Sequence, residues 1–391
     1  MHPIVIIGSG MAGYTVAREL RKLDSEQALM MICADDARNY AKPTLSNALV
    51  GNKAPAQIAL GDAEKMSTQL NMQILNHTWV KHIDAAQQTL VLEHNGQTRT
   101  QAYHKLVLAL GASPVRLALS GNGADDVHVV NNLNDYTAFR AQLDQQTAQR
   151  VVILGAGLIG CEFANDVQHT GHQAHVIDLA EQPLGRLLPQ HVAQSYQQKL
   201  NRAGIEFILG TTVSAIDKVA AGYCVTLANG QQLNADVVLS AIGLQSNTEL
   251  ARDAGIETQR GIVTNNLLET NVANIYAVGD CAEVNGTLLP YVMPIMQQAR
   301  ALAKTLSGNT TPIHYPAMPV AVKTPAAPLT VLPVPADVAV TWETEEVEHG
   351  LIAKAVDAQH TLRGFVLLGE TAVKQRLSLT KLVPDLIALP V

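Results

Sequence analysis

The chain is 391 residues long, 47% hydrophobic and 16% charged, a balance that suits a globular protein of two or three domains with substantial cores. Its net charge of −7 excludes general affinity for nucleic acid or adsorption to anionic membranes, because both would repel it on average. No basic leader precedes the first strand at Pro3 and no clean apolar run is long enough to span a bilayer, so a cytoplasmic protein without stable membrane insertion is expected.

The first element is VIIGSGMAG, Val5 to Gly13, where β-branched residues run into GxGxxG and then into a helical pattern. The first glycine of such a fingerprint permits a tight turn, the second lets backbone amides approach a pyrophosphate, and the third lets helix pack on strand. Gly8, Gly10 and Gly13 fill these roles, with Ser9, Met11 and Ala12 between them. Asp35, preceded by Ala34, follows the strand pattern LMMICA 22 residues beyond Gly13, where an acid can accept from a ribose hydroxyl. The run Gly51 to Gly61 reads as a loop or lid. Alternation predicts strands near Leu75–Ile83, Thr89–Leu92 and Tyr103–Leu110, and LVLALGASP closes a buried strand at Gly111 and Pro114. Val129 to Gln149 is polar and helical and crosses to a second fingerprint.

That second copy, VILGAGLIG, spans Val152 to Gly160 and repeats the design with Gly155, Gly157 and Gly160, Leu158 and Ile159 lying between. Asp178, after HVI, stands 18 residues beyond Gly160. One glycine-rich turn or one aspartate in a βα turn is a common structural feature. Two in the same context imply two bound nucleotide cofactors. Helices are expected at Glu162–His169 and His191–Ala203, and strands near Glu206, Tyr223 and Asp236; VVLSAIG ends at Gly243. A strand precedes Gly279–Asp280, and Pro294–Leu306 reads as a helix with proline in its first turn. From about Met318 the chain turns β-rich and proline-punctuated, with one amphipathic helix near Ala372–Lys381. Cys33, Cys161, Cys224 and Cys281 form no close pair and the histidines no ligand spacing, so no metal site is expected.

GSGMAG, ALGASP, GAGLIGCEFA and NIYAVGDCAEV together resemble the two-dinucleotide-binding flavoproteins of the glutathione-reductase-like fold, over essentially the whole chain. The resemblance implies an α/β architecture of two Rossmann-like domains plus a small α+β C-terminal domain. Residues 1–112 and 244–317 would form an FAD-binding domain, 113–243 an inserted NAD(H)-binding domain, and 318–391 the terminal domain. Within this fold, YAKPTLS, GLIGCEFAND, YVMP and PVAVKTP most closely resemble the bacterial rubredoxin reductases of alkane-degrading systems.

By that likeness Asp280 accepts from the ribityl chain of FAD, and Val292, opening a helix, offers a backbone donor to the flavin pyrimidine edge. Lys42 and Lys323 lie beside the flavin, where an ammonium lowers the energy of the anionic reduced ring. Glu162 starts the helix beneath the nicotinamide and pairs with Lys42 near flavin N5. Val80 contributes a backbone contact to the adenine, and Gly111 and Gly243 complete the cofactor contacts. Asp178 bonds a 2′-hydroxyl and repels a 2′-phosphate, favouring NADH over NADPH, although Arg186 lies nearby.

Related disulfide reductases and NADH peroxidases carry a redox cysteine near the segment that here reads Tyr40-Ala41-Lys42-Pro43-Thr44-Leu45-Ser46, which has none. Flavin is then the only redox centre, passing single electrons to rubredoxin, a small acidic iron protein. Lys323, Lys354, Arg363, Lys374, Arg376 and Lys381 are candidates for a basic docking patch, with Glu343, Glu345, Glu346 and Glu348 in the same domain arguing for a mixed surface. The resemblance therefore predicts an NADH:rubredoxin reductase supplying alkane hydroxylation. A ferredoxin reductase or NADH oxidase of the same fold, or a non-catalytic flavin or NADH sensor, are the alternatives.

Overall fold

The computed structural model describes residues 2–335 and 337–388. The run Ile4–Ile7 is apolar at every position and buried throughout, which places it at the centre of a parallel sheet covered on both faces. Its neighbours are Leu29–Ile32 and Lys105–Leu108, flanked in turn by Gln73–Leu75 and Ile275–Ala277. The last of these strands arrives only after the chain has left and come back. An antiparallel sheet of Trp79–Asp84, Thr89–His94 and Gln97–Ala102 is inserted into this first unit. Gln97–Ala102 was not expected as a strand, because its side chains are polar throughout and its pairing with Thr89–His94 alone defines it.

The second unit repeats the arrangement around Arg150–Leu154, with Gln173–Asp178, Glu206–Leu209, Val237–Ser240 and His128–Val129 in parallel. A further antiparallel sheet is formed by Val213–Lys218, Tyr223–Leu227 and Gln232–Ala235. The two connectors between the units, Ala112–Pro114 and Leu244–Ser246, pair antiparallel, and Gly111 and Gly243 at their ends both take positive φ. The crossing helix is shorter than its polar pattern, Leu133–Leu143, and starts where Asn132 and Asp135 cap each other reciprocally.

The terminal unit is a five-stranded antiparallel sheet in the order Val320–Val322, Leu329–Leu332, Leu362–Leu368, Gly350–Val356, Thr341–Val347. Val322, Leu329, Val331 and Val366 on one face join the core of the second unit. The opposite face is covered by two short helices, Glu370–Val373 and Arg376–Thr380, which correct the single amphipathic helix expected over Ala372–Lys381. Ala372 and Leu379 are buried and Val373 packs beside them, while Leu377 is 67% exposed, so no continuous apolar stripe holds one helix together. The loop Gly51–Gly61 likewise contains one short helix, Pro55–Ile58. No helix among the described residues is long and apolar enough to cross a membrane.

Both fingerprints owe their geometry to close backbone approach. Gly8 and Gly155 have φ of +114° and +104°, and a Cβ on Gly13 or Gly160 would lie 2.0 or 1.9 Å from the carbonyl oxygen of Gly8 or Gly155. Gly160→Ala must therefore push its helix off its strand. It should lower stability by about 1–3 kcal/mol, read as a lower denaturation midpoint at unchanged m-value; an unchanged midpoint would contradict this packing.

Candidate functional site

The two fingerprint helices, Met11–Leu23 and Leu158–His169, begin at Gly10 and Gly157 in extended backbone, with no side-chain cap and no acid in the first turn. Their first amides are thus left for an outside acceptor. A Cβ at Gly10 or Gly157 would meet nothing within 4 Å, so open space lies in front of each helix end. Two such cradles fit the pyrophosphates of two dinucleotides.

Each acid reaches back into its own fingerprint. Asp35 accepts from Ser9 Oγ at 2.7 Å and from the Ala37 amide at 3.0 Å, through the same oxygen, leaving the other free. Asp178 accepts from the Ala156 amide at 2.5 Å and the Ala180 amide at 2.8 Å. These bonds orient both carboxylates at strand ends beside their cradles, with Ala34 and Asp35 exposed to the outside.

One turn beyond the second cradle, Glu162 is almost wholly buried on the second fingerprint helix. It accepts from Ser46 Oγ at 2.6 Å and the Lys323 amide at 3.0 Å, and forms an ion pair with Lys323 Nζ. The expected Glu162–Lys42 pair is therefore corrected to Glu162–Lys323. Ser46, rather than Lys42, faces the helix, and the returning terminal unit delivers Lys323 against it. Lys42 opens the short 3-10 turn Lys42–Asn47, where burial pushes its ammonium below its ordinary range while Asp280 and Asp135 draw it back. Burial raises the Asp280 carboxyl and the Lys42 charge lowers it, so these two groups feel one another.

Asp280 lies in the turn Gly279–Cys281, whose Gly279 amide donates to Gln298 Oε1 at 2.6 Å. A Cβ on Gly279 would come within 2.7 Å of Ala12, which sets this turn directly against the first fingerprint helix. Helix Val292–Leu306 begins at an uncapped Tyr291, and Val292 and Met293 are exposed at its start. Val80 sits beside a β-bulge in its strand and is partly buried. Leu158 and Ile159 follow the second cradle, with Ile159 exposed, as Met11 follows the first. Burial pushes the thiols of Cys33 and Cys161 up to about 12, which keeps them unreactive.

Three buried polar side chains around Glu162 escaped the sequence reading: Ser46, Asn165 and Asp166. Asn165 Oδ1 accepts from the Ala326 amide at 3.1 Å, and Asp166 takes the amides of Leu49 and Val50 at 2.9 and 3.0 Å. For Asn165 and Asp166 the signal was present in GLIGCEFAND, where Glu162, Asn165 and Asp166 are polar residues at helical spacing after an apolar start.

Residues 2–304 match the family model described as pyridine nucleotide-disulphide oxidoreductase. The chain belongs to this family. Residues 312–383 match a second model, the rubredoxin binding C-terminal domain. The chain is 72% identical to a rubredoxin-NAD(+) reductase of Acinetobacter baylyi over 99% of each chain, and 42% identical to one of Alcanivorax borkumensis over 98% of this chain and 99% of that one. Its fold matches a ferredoxin reductase of Rhodopseudomonas palustris with a TM-score of 0.86, at 26% identity, over 98% of this chain and 96% of that one. FAD and NADH are the cofactors that the family implies, and the two cradles with their acids fit both.

Of the six basic candidates in the terminal unit, Lys323 is taken by Glu162 and Arg363 by Asp357 at 2.6 Å. Lys374, Arg376 and Lys381 are exposed, and exposed Leu377 and Leu382 lie among them in sequence.

Removing the Glu162 carboxylate strands a partly buried Lys323 and frees Ser46. Glu162→Ala should cost about 3 kcal/mol, the low end for a broken buried pair because Lys323 keeps some solvent. Chemical denaturation measures this, and a loss under about 0.5 kcal/mol would remove the pair from the structural account.

Proposed function

We infer that this chain is an FAD-dependent NADH:rubredoxin oxidoreductase. The observation that carries the reading is the position of Glu162, one turn beyond the second cradle and joined to Lys323 of a terminal unit matching the rubredoxin binding domain. Residues 1–112 and 244–317 hold FAD, 113–243 hold NADH, and 318–391 help to receive the acceptor. FAD, when bound, takes two electrons from NADH and releases them one at a time to rubredoxin.

The protein's own groups then divide the work. Gly8, Ser9, Gly10, Met11, Ala12 and Gly13 seat the FAD pyrophosphate, while Ala34, Asp35 and Val80 seat its adenosine end and Gly111 leaves room beside it. Asp280 binds the ribityl hydroxyls and Val292 donates a main-chain amide to the pyrimidine edge. Lys42, and Lys323 held by Glu162, supply positive charge where negative charge grows. Gly155, Gly157, Leu158, Ile159 and Gly160 seat NADH, with Gly243 at the hinge and Asp178 on the ribose. The absence of cysteine from residues 40–46 leaves no thiol relay beside the flavin, which supports a one-electron protein acceptor over a disulfide substrate. We further propose that the protein acts in the cytoplasm and that its rubredoxin feeds alkane hydroxylation, a reading supported by the likeness of YAKPTLS and PVAVKTP to reductases of such systems.

Anaerobic NADH oxidation with rubredoxin, a plant-type ferredoxin or no acceptor tests the reading. Fast turnover with rubredoxin alone is expected; flavin reduction without transfer to rubredoxin would overturn the partner. Asp178→Ala should raise KM for NADH about tenfold or more, by loss of a charge-assisted bond, and narrow the preference over NADPH. An unchanged preference would shift specificity to other residues. Lys42→Ala should slow flavin reduction or shift its potential, and unchanged values of both would remove Lys42 from the mechanism.

A further inference from the structure

Residues 40–58 lie in the sequence of the first unit, yet Leu45, Ala48, Leu49 and Ile58 are buried in the core of the second. The long-range hydrogen bonds of this stretch point the same way. Tyr40 OH accepts from the Leu133 amide at 3.1 Å, at the start of the crossing helix. Ser46 bonds Glu162, and Arg140 Nη2 of the crossing helix donates to Asn52 Oδ1 at 3.1 Å. At the centre Asp166, 1% exposed, takes two consecutive main-chain amides, Leu49 and Val50. The segment carrying Lys42 is thus packed as part of the unit that binds NADH.

We propose that Asp166 is a positioning residue, which fastens the Lys42 segment to the second fingerprint helix so that the segment keeps its place relative to the NADH cradle. Burial makes the charged form of its carboxyl costlier in the folded chain than in the unfolded one. Burial raises its pKa to about 6, and the two amides, His169 on its own helix and Arg140 of the crossing helix lower it only in part. The crossing helix also brings Tyr136 close, whose hydroxyl feels the Asp166 charge, while the Leu49–Val50 segment contributes the two amides. A carboxyl that titrates higher folded than unfolded favours folding most below about pH 4, and that favour is lost as the pH rises through 6. Near neutrality the charged form is retained although burial disfavours it, and what it secures is local: each carboxylate oxygen accepts one of two neighbouring amides, where an asparagine would turn its NH2 group toward one of them.

The proposal rests on the reading of Lys42 as a flavin-side group, and two separate readouts keep the two claims apart. The first is amide hydrogen exchange of the full-length protein near pH 7. Asp166→Asn should speed exchange at Leu49 and Val50 by about tenfold or more, with Ile153 and Val176 in the neighbouring sheet unchanged. The second is anaerobic flavin reduction at saturating NADH, which should slow by about tenfold while KM for NADH stays unchanged. As pH rises from 5 to 7.5, wild type should also lose stability relative to Asp166→Asn, and a gain instead would contradict a buried carboxylate retained for positioning. Protection retained at Leu49 and Val50, or lost equally throughout the sheet, would overturn the clasp. Lost protection with unchanged flavin reduction would overturn the link to Lys42 and leave the clasp standing. Should Asp166→Asn fail to fold, Asp166→Glu keeps the charge but displaces both oxygens by a methylene; exchange at Leu49 and Val50 should again speed up, and undiminished protection there would contradict the proposal.

Discussion

A carboxylate taken out of water must find charged or hydrogen-bonding partners, and Glu162 takes them from two distant stretches of chain. Its helix belongs to the second unit, Ser46 comes from a segment of the first, and Lys323 contributes both its amide and its ammonium from the terminal sheet. One buried anion therefore fixes the joint at which the three units meet. The chemistry gathers around that joint because the second cradle opens one turn before Glu162, and the Lys42 segment closes over the same helix.

The remaining electrostatics follow from burial at this joint. Lys42 and Asp280 are each driven toward neutrality by desolvation and each restrained by the other, so neither charge is independent of its partner. The Gly279 turn that carries Asp280 is fixed against Ala12 and tied to Gln298, whose amide in turn donates to Tyr315 OH at 2.7 Å. Tyr315 pairs through its backbone with Ile387 near the end of the described chain. The terminal segment and the Asp280 turn thus share one chain of bonds through the helix that starts at Val292.

The parts legible in the sequence were those set by local backbone demands. A turn that needs left-handed glycine at Gly8 and Gly155, and a helix that needs no side chain at Gly13 and Gly160, leave a pattern that survives in one dimension. The continuous apolar strands around them were equally readable. Pairing between distant segments was not: nothing in the spacing of Lys42 and Lys323 says which one meets Glu162, since both follow from how the units close. The terminal helix was overread because a polar stretch with scattered leucines suggests one stripe, while the fold buries Ala372 and Leu379 and leaves Leu377 outside. Asp166 was overlooked because an acid in a helix ordinarily faces solvent.

The dependence of the site on the Glu162–Lys323 joint is tested most directly by a double-mutant cycle. Glu162→Gln, Lys323→Met and the double variant would be compared by anaerobic flavin reduction and by chemical denaturation. The account predicts coupling above about 1 kcal/mol in both quantities, with the double variant impaired far less than the sum of the single ones. Additive effects in both would contradict it.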